Sequence, residues 1–340
     1  MGIIDWFKNR TGQFDSDGLP EETIRWAADK AVALANPKLR MLPNWQKRLS
    51  PSIVNAIRFM RGLVPVFPAV RPLSPKSWAG DPALRAFFVT PKDIDDLLAR
   101  SDQVRAVFEK YPAIDEAYLV LGMAITEQKT FGMAIRGDTV QRDVAQNVVS
   151  FSDHKTRLCA PDEPALRRVI GIEIFEYLIS RALAEIGAER AERQELQANR
   201  ALIRTRLRLL QQHGPGLGAM LGDEPAAASE QARLEAELLE NEQQLAEMGA
   251  SEEQLAGELE TLQAVLDRPE DYLVFSPLRL RLNTMNVIVG EAETGTDIDF
   301  AVVDLKGPTP VRRAFVIARV ARSEMPPPQS LNYYEAMRYL

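Results

Sequence analysis

The sequence predicts an α+β protein with a helical N-terminal region and one antiparallel β domain, interrupted by a long antiparallel α-helical (coiled-coil) hairpin. Three observations carry this prediction: capped helix signals near the start, two β-rich blocks, and a heptad repeat of apolar residues between those blocks. The predicted divisions are an N-terminal region at 1–111, the two parts of the β domain at 112–162 and 269–323, the hairpin at 163–268 with its tip at 213–229, and a C-terminal tail at 324–340.

Helix signals alternate with proline-rich connections in the N-terminal region. Pro20 can open a helix that runs to about Asn36, because proline fits the first turn of a helix. Ser50 is expected to cap a helix that starts at Pro51 and stops at Gly62. The stretch "VPVFPAVRPLSP" has four prolines in twelve positions and is therefore expected to be extended. Two short helices, "TPKDIDDLLAR" and "SDQVRAVFEKYP", follow, and each begins with a capping residue.

Two blocks of residues have the composition of β-strands. The first contains "AYLVLGMAIT", "KTFGMAI" and "VQRDVAQNVVSF", with a turn signal at Gly137-Asp138 between the last two. The second contains "DYLVFSPLRLRLNTMNVIVG", "DIDFAVVDL" and "VRRAFVIARVAR". Leucines and polar residues alternate from Leu278 to Asn283, which is typical of a strand with one buried face.

Heptad repeats occupy the stretch between the β blocks. Their steps alternate four and three residues, which is the spacing of a helix with one apolar seam. The stronger repeat passes through Leu234, Leu238, Asn241, Leu245, Met248, Glu252, Leu255, Leu259, Leu262 and Leu266. The weaker repeat passes through Ile179, Ala182, Ile186, Glu189, Arg193, Leu196, Arg200, Ile203, Leu207 and Leu210.

The charges favour pairing of these two helices within one chain. Residues 200–208 hold four arginines, whereas residues 230–260 hold ten glutamates and one arginine. An antiparallel hairpin brings these opposite charges together, and a parallel dimer through the second helix alone remains the alternative. If Leu210 faces Leu234, then Arg193 faces Glu252, and the polar pair is expected to fix the register.

The glycine-rich stretch "GPGLGAMLG" lies at the predicted hairpin tip. No strand precedes it and no Gly-Lys-Ser/Thr sequence ends it, so it lacks the features of a dinucleotide or phosphate-binding loop. Leu217, Met220 and Leu221 make the tip apolar. They either dock a partner or cap the open end of the hairpin.

Two short motifs suggest chemistry, and each has a simpler interpretation. Ser152-Asp153-His154 combines the residue types of a catalytic triad, but the sequence favours a turn with an exposed histidine. Asp304 and Lys306 match the D-x-K element of Mg²⁺-dependent nucleases of the restriction-endonuclease type. However, the odd spacing of Asp297 and Asp299 from Asp304 predicts opposite faces of one strand.

The segment 30–80 contains no aspartate or glutamate, although the chain carries a formal charge of −7. Aromatic residues interleave with its cations, a combination that suits an anionic membrane surface or a nucleic acid. The alternative is a basic face that docks on the acidic helix of the same chain. The residues predicted to bind an anionic surface are Lys47, Arg48, Arg58, Arg61, Arg71 and Lys76.

Composition limits the remaining function classes. A single cysteine, Cys159, excludes an internal disulfide framework, and two histidines leave little for a histidine-rich metal centre. No apolar run is long enough to cross a bilayer, and the first residues do not form a secretory signal. We therefore expect a cytoplasmic location, with peripheral membrane attachment as the alternative.

These features favour a non-enzymatic structural or adaptor protein that self-associates or docks a protein partner through its hairpin. No catalytic residue, metal, cofactor or small-molecule substrate is predicted. The first alternative is a peripheral binder of an anionic membrane or nucleic acid through segment 30–80, and the lesser alternative is an Mg²⁺-dependent nuclease. The seam residues proposed to carry the leading function are Arg193, Leu196, Ile203, Leu207, Leu210, Leu234, Leu238, Leu245, Glu252, Leu255 and Leu259.

Overall fold

A computed structural model describes residues 18–136, 139–213, 224–248 and 251–327. Contacts divide the chain into two units. Residues 56–175 and 268–327 form the sheet unit, and residues 18–55 and 176–267 form the helical unit. The sequence had grouped 56–111 with the N-terminal helices, whereas the contacts group them with the strands. None of the described helices combines the length and the apolar character needed to cross a membrane.

Five of the described α-helices contribute to the helical unit. They are α1 (Glu21–Ala35), the first part of α2 (Trp45–Gly62), most of α7 (Glu163–His213), α8 (Glu224–Glu247) and α9 (Ser251–Asp267). Helix α7 is a single helix of 51 residues, as expected for the first arm of the predicted hairpin. The second arm consists of two helices, α8 and α9.

The N-terminal end of α2 differs from the prediction. The helix begins at Trp45, so Pro51 lies inside it and Ser50 does not cap it. The Ser50 hydroxyl instead donates a hydrogen bond to the carbonyl of Gln46 (2.7 Å). Burial of Leu49, two residues before the predicted start at Pro51, supplies the reason, since packing stabilises a helix more than local propensity does.

In the described part of the chain, six strands form one sheet. Five of them lie in the order β3-β2-β6-β5-β4, and every neighbouring pair in this order is antiparallel. Strand β1 adds a short parallel pairing to β6. This arrangement confirms the predicted α+β class. The strands are β1 (Arg71–Pro72), β2 (Glu116–Arg136), β3 (Thr139–Ala160), β4 (Leu273–Leu282), β5 (Thr296–Leu305) and β6 (Val311–Ala321).

The first β block forms two long strands, β2 and β3, in place of the three short strands expected. Their register runs from Tyr118 opposite Ala160 to Arg136 opposite Thr139. The predicted turn at Gly137-Asp138 lies outside the described residues. Beyond Met123, which faces Ala314 of β6, strand β2 pairs only with β3 among the described strands. We call this two-stranded part, 124–136 with 139–152, the ribbon.

Strand β3 contains three bulges, each with one extra residue relative to β2. They lie opposite three places on β2, between Tyr118 and Val120, between Gly122 and Ala124, and between Gly132 and Ala134. Asp143, Asp153 and Leu158 adopt positive φ angles of 60°, 48° and 49° at these places. The predicted turn at Ser152-Asp153-His154 is therefore wrong, because the extra residue of a bulge produces the same local signal within a continuous strand. All three bulges lie on β3, an outer strand of the sheet, and bulges on outer strands are a common device against pairing with other chains.

A short segment after β4 links the two outer strands. The amide of Val289 donates to the carbonyl of Arg281 on β4 (3.0 Å), and the amide of Ile288 donates to Asn147 on β3 (2.8 Å). The amide of Val149 on β3 donates to Asn286 in return (2.9 Å). These hydrogen bonds satisfy backbone groups on both outer strands of the sheet, β3 and β4.

Apolar side chains cover both faces of the sheet. On one face Phe87, Phe151 and Phe300 form an aromatic cluster with centroid distances of 4.9 to 6.3 Å. On the other face Phe67, Phe275 and Phe315 form a second cluster, with distances of 5.7 to 6.1 Å. The first face packs against a core that includes residues of the short helices α3 (Pro75–Trp78), α4 (Pro82–Phe87), α5 (Pro91–Ala99) and α6 (Asp102–Lys110).

Candidate functional site

The outer part of the hairpin, 200–210 of α7 with 231–245 of α8, packs through the predicted seam. Ile203, Leu207 and Leu234 are buried in one cluster, with Leu210 and Leu238 packed against it. Arg204 and Glu242 form an ion pair beside this cluster (2.5 Å). Because the residue numbers rise on one helix as they fall on the other, the two helices are antiparallel.

The base of the hairpin, 176–193 of α7 with 251–267 of α9, is more completely buried than the outer part. Several seam residues of both helices, including Leu259, have exposures of 1% or less. Leu255 of the base is half-buried, as are Leu245 at the end of the outer part and Leu196 between the two regions. The described apolar residues of the base with exposures of 1% or less are Leu178, Ile179, Ala182, Ile186, Leu259, Leu262, Val265 and Leu266.

A carboxylate lies buried at the base. Glu258 is 3% exposed and accepts hydrogen bonds from Asn36 Nδ2 (2.5 Å) and from Arg190 Nε (2.8 Å) and Nη2 (2.7 Å). Burial acts to raise the pKa of Glu258, but the hydrogen bonds from Arg190 and Asn36 outweigh burial and lower that pKa. The ionised carboxylate therefore joins the hairpin to the end of α1.

This triad of Asn36, Arg190 and Glu258 was not predicted from the sequence. The predicted polar pair was Arg193 with Glu252, and the side chain of Glu252 lies outside the described part of the structure. Arg193 Nη1 donates to the carbonyl of Met248 (3.3 Å). A signal for Glu258 is hard to find in the sequence, because it neighbours a seam leucine and its partner Asn36 is 222 residues away.

A second buried polar group lies in the outer part. Asn241 is 7% exposed, and its Oδ1 atom has no hydrogen-bond partner among the described residues. The heptad pattern had marked this position as a polar residue in an apolar seam. An unsatisfied buried amide oxygen is destabilising, so it is a feature that requires an explanation.

A groove of about 310 Å³ lies along the base between α7 and α9. Charged groups of both signs line it, so it resembles a polar inter-helical gap more than an apolar ligand pocket. Two of its lining residues, Arg190 and Glu258, already bond to each other. Its other charged lining residues are Glu189, Arg193 and Glu253.

Several cations of the basic segment pair with carboxylates of the same chain. In the helical unit Lys30 pairs with Glu176, and Arg48 pairs with Glu260 (3.4 Å). The latter pair matches the alternative of a basic face docked on the acidic helix. These contacts reduce the charge that the segment can offer to an external partner.

In the sheet unit, two further cations of the basic segment pair with carboxylates of the same chain. Arg71 pairs with Asp81 (3.4 Å), and Lys76 pairs with Glu324 (2.6 Å). Arg58 and Arg61 are exposed on α2, and Lys47 is exposed near its N-terminal end. Of the six predicted binding residues, Arg48, Arg71 and Lys76 therefore form ion pairs within the chain, and the other three are exposed on α2.

The proposed nuclease residues are engaged elsewhere. Asp304 lies 3.7 Å from Arg312, and Lys306 Nζ donates to the carbonyl of Glu270 (3.0 Å). Asp297 and Asp299 pair with arginines of β4. Within the described residues, no group of three or more histidine, cysteine, aspartate or glutamate side chains could hold a metal ion.

His154 is packed rather than exposed. Its ring stacks on Phe88 with a centroid distance of 4.5 Å, and Nε2 lies 2.8 Å from the carbonyl of Phe87. Burial lowers the pKa of His154, although the hydrogen bond with Phe87 opposes this effect. The neighbouring Asp153 pairs with Arg313 (2.7 Å). The histidine thus contributes to the fold of the bulge.

A cleft of about 190 Å³ lies in the sheet unit beside the turn that follows β4. Its polar side chains mostly support the turn: Asn286 donates to the carbonyl of Ala86 (2.9 Å), and Asn283 accepts from the amide of Val287 (3.0 Å). Among the described residues, no carboxylate, histidine or cysteine lines the cleft.

The predicted docking residues of the hairpin tip, Leu217, Met220 and Leu221, lie outside the described residues, as does most of the predicted tail. The described part of the hairpin is therefore the candidate functional site. Comparison with protein-family models, with curated proteins and with solved structures gave no match.

Proposed function

We propose that this chain is a non-enzymatic assembly or adaptor protein and that the outer part of its helical hairpin, with coiled-coil-like seam spacing, docks a protein partner. The single observation that carries this proposal is the amide oxygen of Asn241 in that part, which is buried and has no hydrogen-bond partner among the described residues. Such a group is disfavoured in an isolated two-helix seam, and a further helix or chain that donates a hydrogen bond would satisfy it.

Exposed leucines on the outer part of the hairpin support the same proposal. Leu202 is 51% exposed and Leu239 is 59% exposed, although both belong to helices whose seam leucines are buried. Exposed leucines on both helices of the outer part offer apolar contact area to a partner. The acidic face of α8 and α9 favours a partner with a basic surface.

A photo-crosslinking experiment in cells tests the docking proposal. Benzoylphenylalanine replaces Leu202 or Leu239 at the outer part, or Leu34 on α1, which is 46% exposed and serves as the matched control. We expect one defined adduct from Leu202 and Leu239 that is absent from Leu34. Equal adduct patterns at all three positions, or no adduct at any of them, would contradict the proposal.

We also propose, as a second function, binding of an anionic surface through α2. Arg58 and Arg61 lie three residues apart on that helix and are both exposed, which favours this function. The expected result is salt-sensitive binding of the protein to anionic vesicles that Arg58→Glu/Arg61→Glu abolishes. Single-stranded DNA at matched salt distinguishes nucleic acid from lipid. Absence of binding to both near physiological ionic strength would remove this function.

A further inference from the structure

The ribbon has an open strand edge. Strand β2 leaves β6 after Met123, and from Ala124 to Gly132 its register with β3 continues without a shift. No described residue pairs with the other edge of this nine-residue stretch. All side chains from Thr126 to Phe131 are exposed, and Phe131 is 76% exposed. The β3 side of the ribbon is partly covered by the segment after β4, whereas the edge of β2 is open over this stretch, and an open regular edge is a template for strand pairing.

The two edges of the ribbon differ. Strand β3 carries a bulge at Asp143, where φ is 60°, and this bulge interrupts its outer edge. Over Ala124–Gly132, β2 carries no extra residue, so its edge can pair over its full length. Pairing of another chain is thus directed to β2.

We infer that β2 pairs with β2 of a second copy of this chain, antiparallel and centred on Gln128, so that the two ribbons form one four-stranded sheet. This inference deepens the proposed assembly function and rests on it. Two-fold symmetric antiparallel pairing requires side chains on the same face to meet, so the axis must pass through one residue position. Charge decides which position that is.

Only the centre at Gln128 makes the charges complementary. It places Glu127 opposite Lys129 of the second copy, and the two-fold axis repeats that pair. A centre at Glu127 would place the two Glu127 carboxylates opposite each other, and a centre at Lys129 would place the two Lys129 ammonium groups opposite each other. Opposite charges directly across strands are stabilising, and like charges are destabilising.

The remaining pairs in this register are also compatible. Ile125 lies opposite Phe131 of the second copy, so the exposed phenyl ring gains an apolar neighbour. Thr126 lies opposite Thr130, and two β-branched side chains form a favourable cross-strand pair. In this register, oppositely charged side chains therefore face each other, and apolar side chains face each other.

Charge reversal and its compensation test the register. Sedimentation of the full chain is expected to show a reversible dimer. Glu127→Lys or Lys129→Glu alone should weaken dimerisation about ten- to thirtyfold, because both symmetric pairs become like-charged. The double variant Glu127→Lys/Lys129→Glu should restore it. Circular dichroism confirms that each variant is folded, and restoration by the double variant excludes a folding defect as the cause.

Cysteine crosslinking locates the axis. Gln128→Cys places two thiols opposite each other, at a separation that permits a disulfide. Thr130→Cys is the matched control, because in this register it faces Thr126 rather than itself. Burial raises the pKa of the native Cys159 thiol to about 12, so this thiol does not compete. We expect oxidation to crosslink Gln128→Cys at least tenfold faster than Thr130→Cys.

Three results would overturn the inference: a monomer at about 100 μM, well above the micromolar range of weak association, equal crosslinking of the two cysteine variants, or equal dimerisation of all charge variants. The photo-crosslinking at Leu202 and Leu239 is independent of the ribbon. If those adducts form while the ribbon does not pair, the pairing fails and the proposed function stands. If the ribbon pairs and no adduct forms, the dimer stands and hairpin docking fails.

Discussion

The base and the outer part of the hairpin bury polar groups in opposite ways. At the base, the carboxylate of Glu258 accepts three hydrogen bonds and is ionised. In the outer part, the amide oxygen of Asn241 is buried and accepts none among the described residues. The base also reaches α1 through Asn36, whereas the described outer part consists of two helices. A third structural element can therefore supply a hydrogen bond to a buried polar group. The group then connects elements of the fold instead of destabilising it.

Core burial follows the same division. The base contains seam residues that are fully enclosed, whereas the cluster of Ile203, Leu207 and Leu234 retains 4 to 8% exposure. Two helices enclose a seam from two sides only, and the addition of α1 encloses the base further. The base is thus suited to stability, and the outer part retains surface for contact with another molecule.

The largest expected effect separates the two regions by truncation of one leucine in each. Leu262→Ala at the base should destabilise the helical unit by about 4 kcal/mol, because the surroundings cannot collapse into the cavity. Leu234→Ala in the outer part should cost about 2 kcal/mol, because solvent reaches the site. Hydrogen exchange of α8 and α9 amides measures both. Equal losses of protection would mean that the regions do not differ in packing.

The next effect comes from the buried carboxylate. Glu258→Gln should cost about 2–3 kcal/mol, less than for a fully buried ion pair because Arg190 is 39% exposed. Urea unfolding followed by circular dichroism measures the loss. Glu242→Gln, which breaks the exposed pair with Arg204, is the matched control and should cost under about 1 kcal/mol. A cost for Glu258→Gln no larger than for this control would contradict the role assigned to the triad.

Glu258 also predicts a pH dependence. Its pKa is lowered in the folded state, so the unfolded chain binds the proton more tightly. The stability that ionised Glu258 contributes is present above the ordinary glutamate pKa of about 4.3 and is lost as the pH falls through the lower folded-state pKa. Urea midpoints between pH 6 and pH 3 should therefore fall more steeply for the wild type than for Glu258→Gln. Parallel slopes would contradict this assignment.

The smallest effect has the opposite sign. Asn241→Leu removes the buried unsatisfied oxygen and should stabilise the hairpin by about 1 kcal/mol. If a partner satisfies Asn241, the same variant should weaken the adduct formed at Leu202. Asn241→Asp, which retains an oxygen acceptor, is the control for partner binding. Destabilisation by Asn241→Leu in the isolated protein would show that the amide is already satisfied.

Local patterns predicted the parts of this fold that depend on local interactions. The heptad spacing identified Ile203, Leu207 and Leu234 as seam residues, because helix periodicity alone selects one face. The strands of the second β block were recognised from alternation and composition. Burial of residues such as Leu49 moved the start of α2, since tertiary packing overrides a capping signal.

The candidate site was harder to predict than the seam, because its polar contacts join distant parts of the chain. Asn36 and Glu258 are adjacent in space and far apart in sequence, and no periodicity connects them. The bulge at Asp153 was mistaken for a turn, because both use a residue with positive φ. Nothing in the strand pattern indicates where β6 ends its pairing, so the ribbon edge emerged only from the register.

The insertion of the hairpin between strands of one sheet has a consequence for synthesis on the ribosome. Contacts within the hairpin span 38 to 68 residues, whereas Arg319 of β6 reaches Glu116 of β2 across 203 residues. The apolar β2 residues Leu119 and Leu121 therefore wait for their partner strand for about 10 to 40 s at ordinary elongation rates. During this interval the nascent chain exposes a strand that chaperones bind and that neighbouring nascent chains can capture. Early folding of the hairpin shortens the loop that remains, so that β6 can pair with β2 at a lower entropic cost once it has been synthesised.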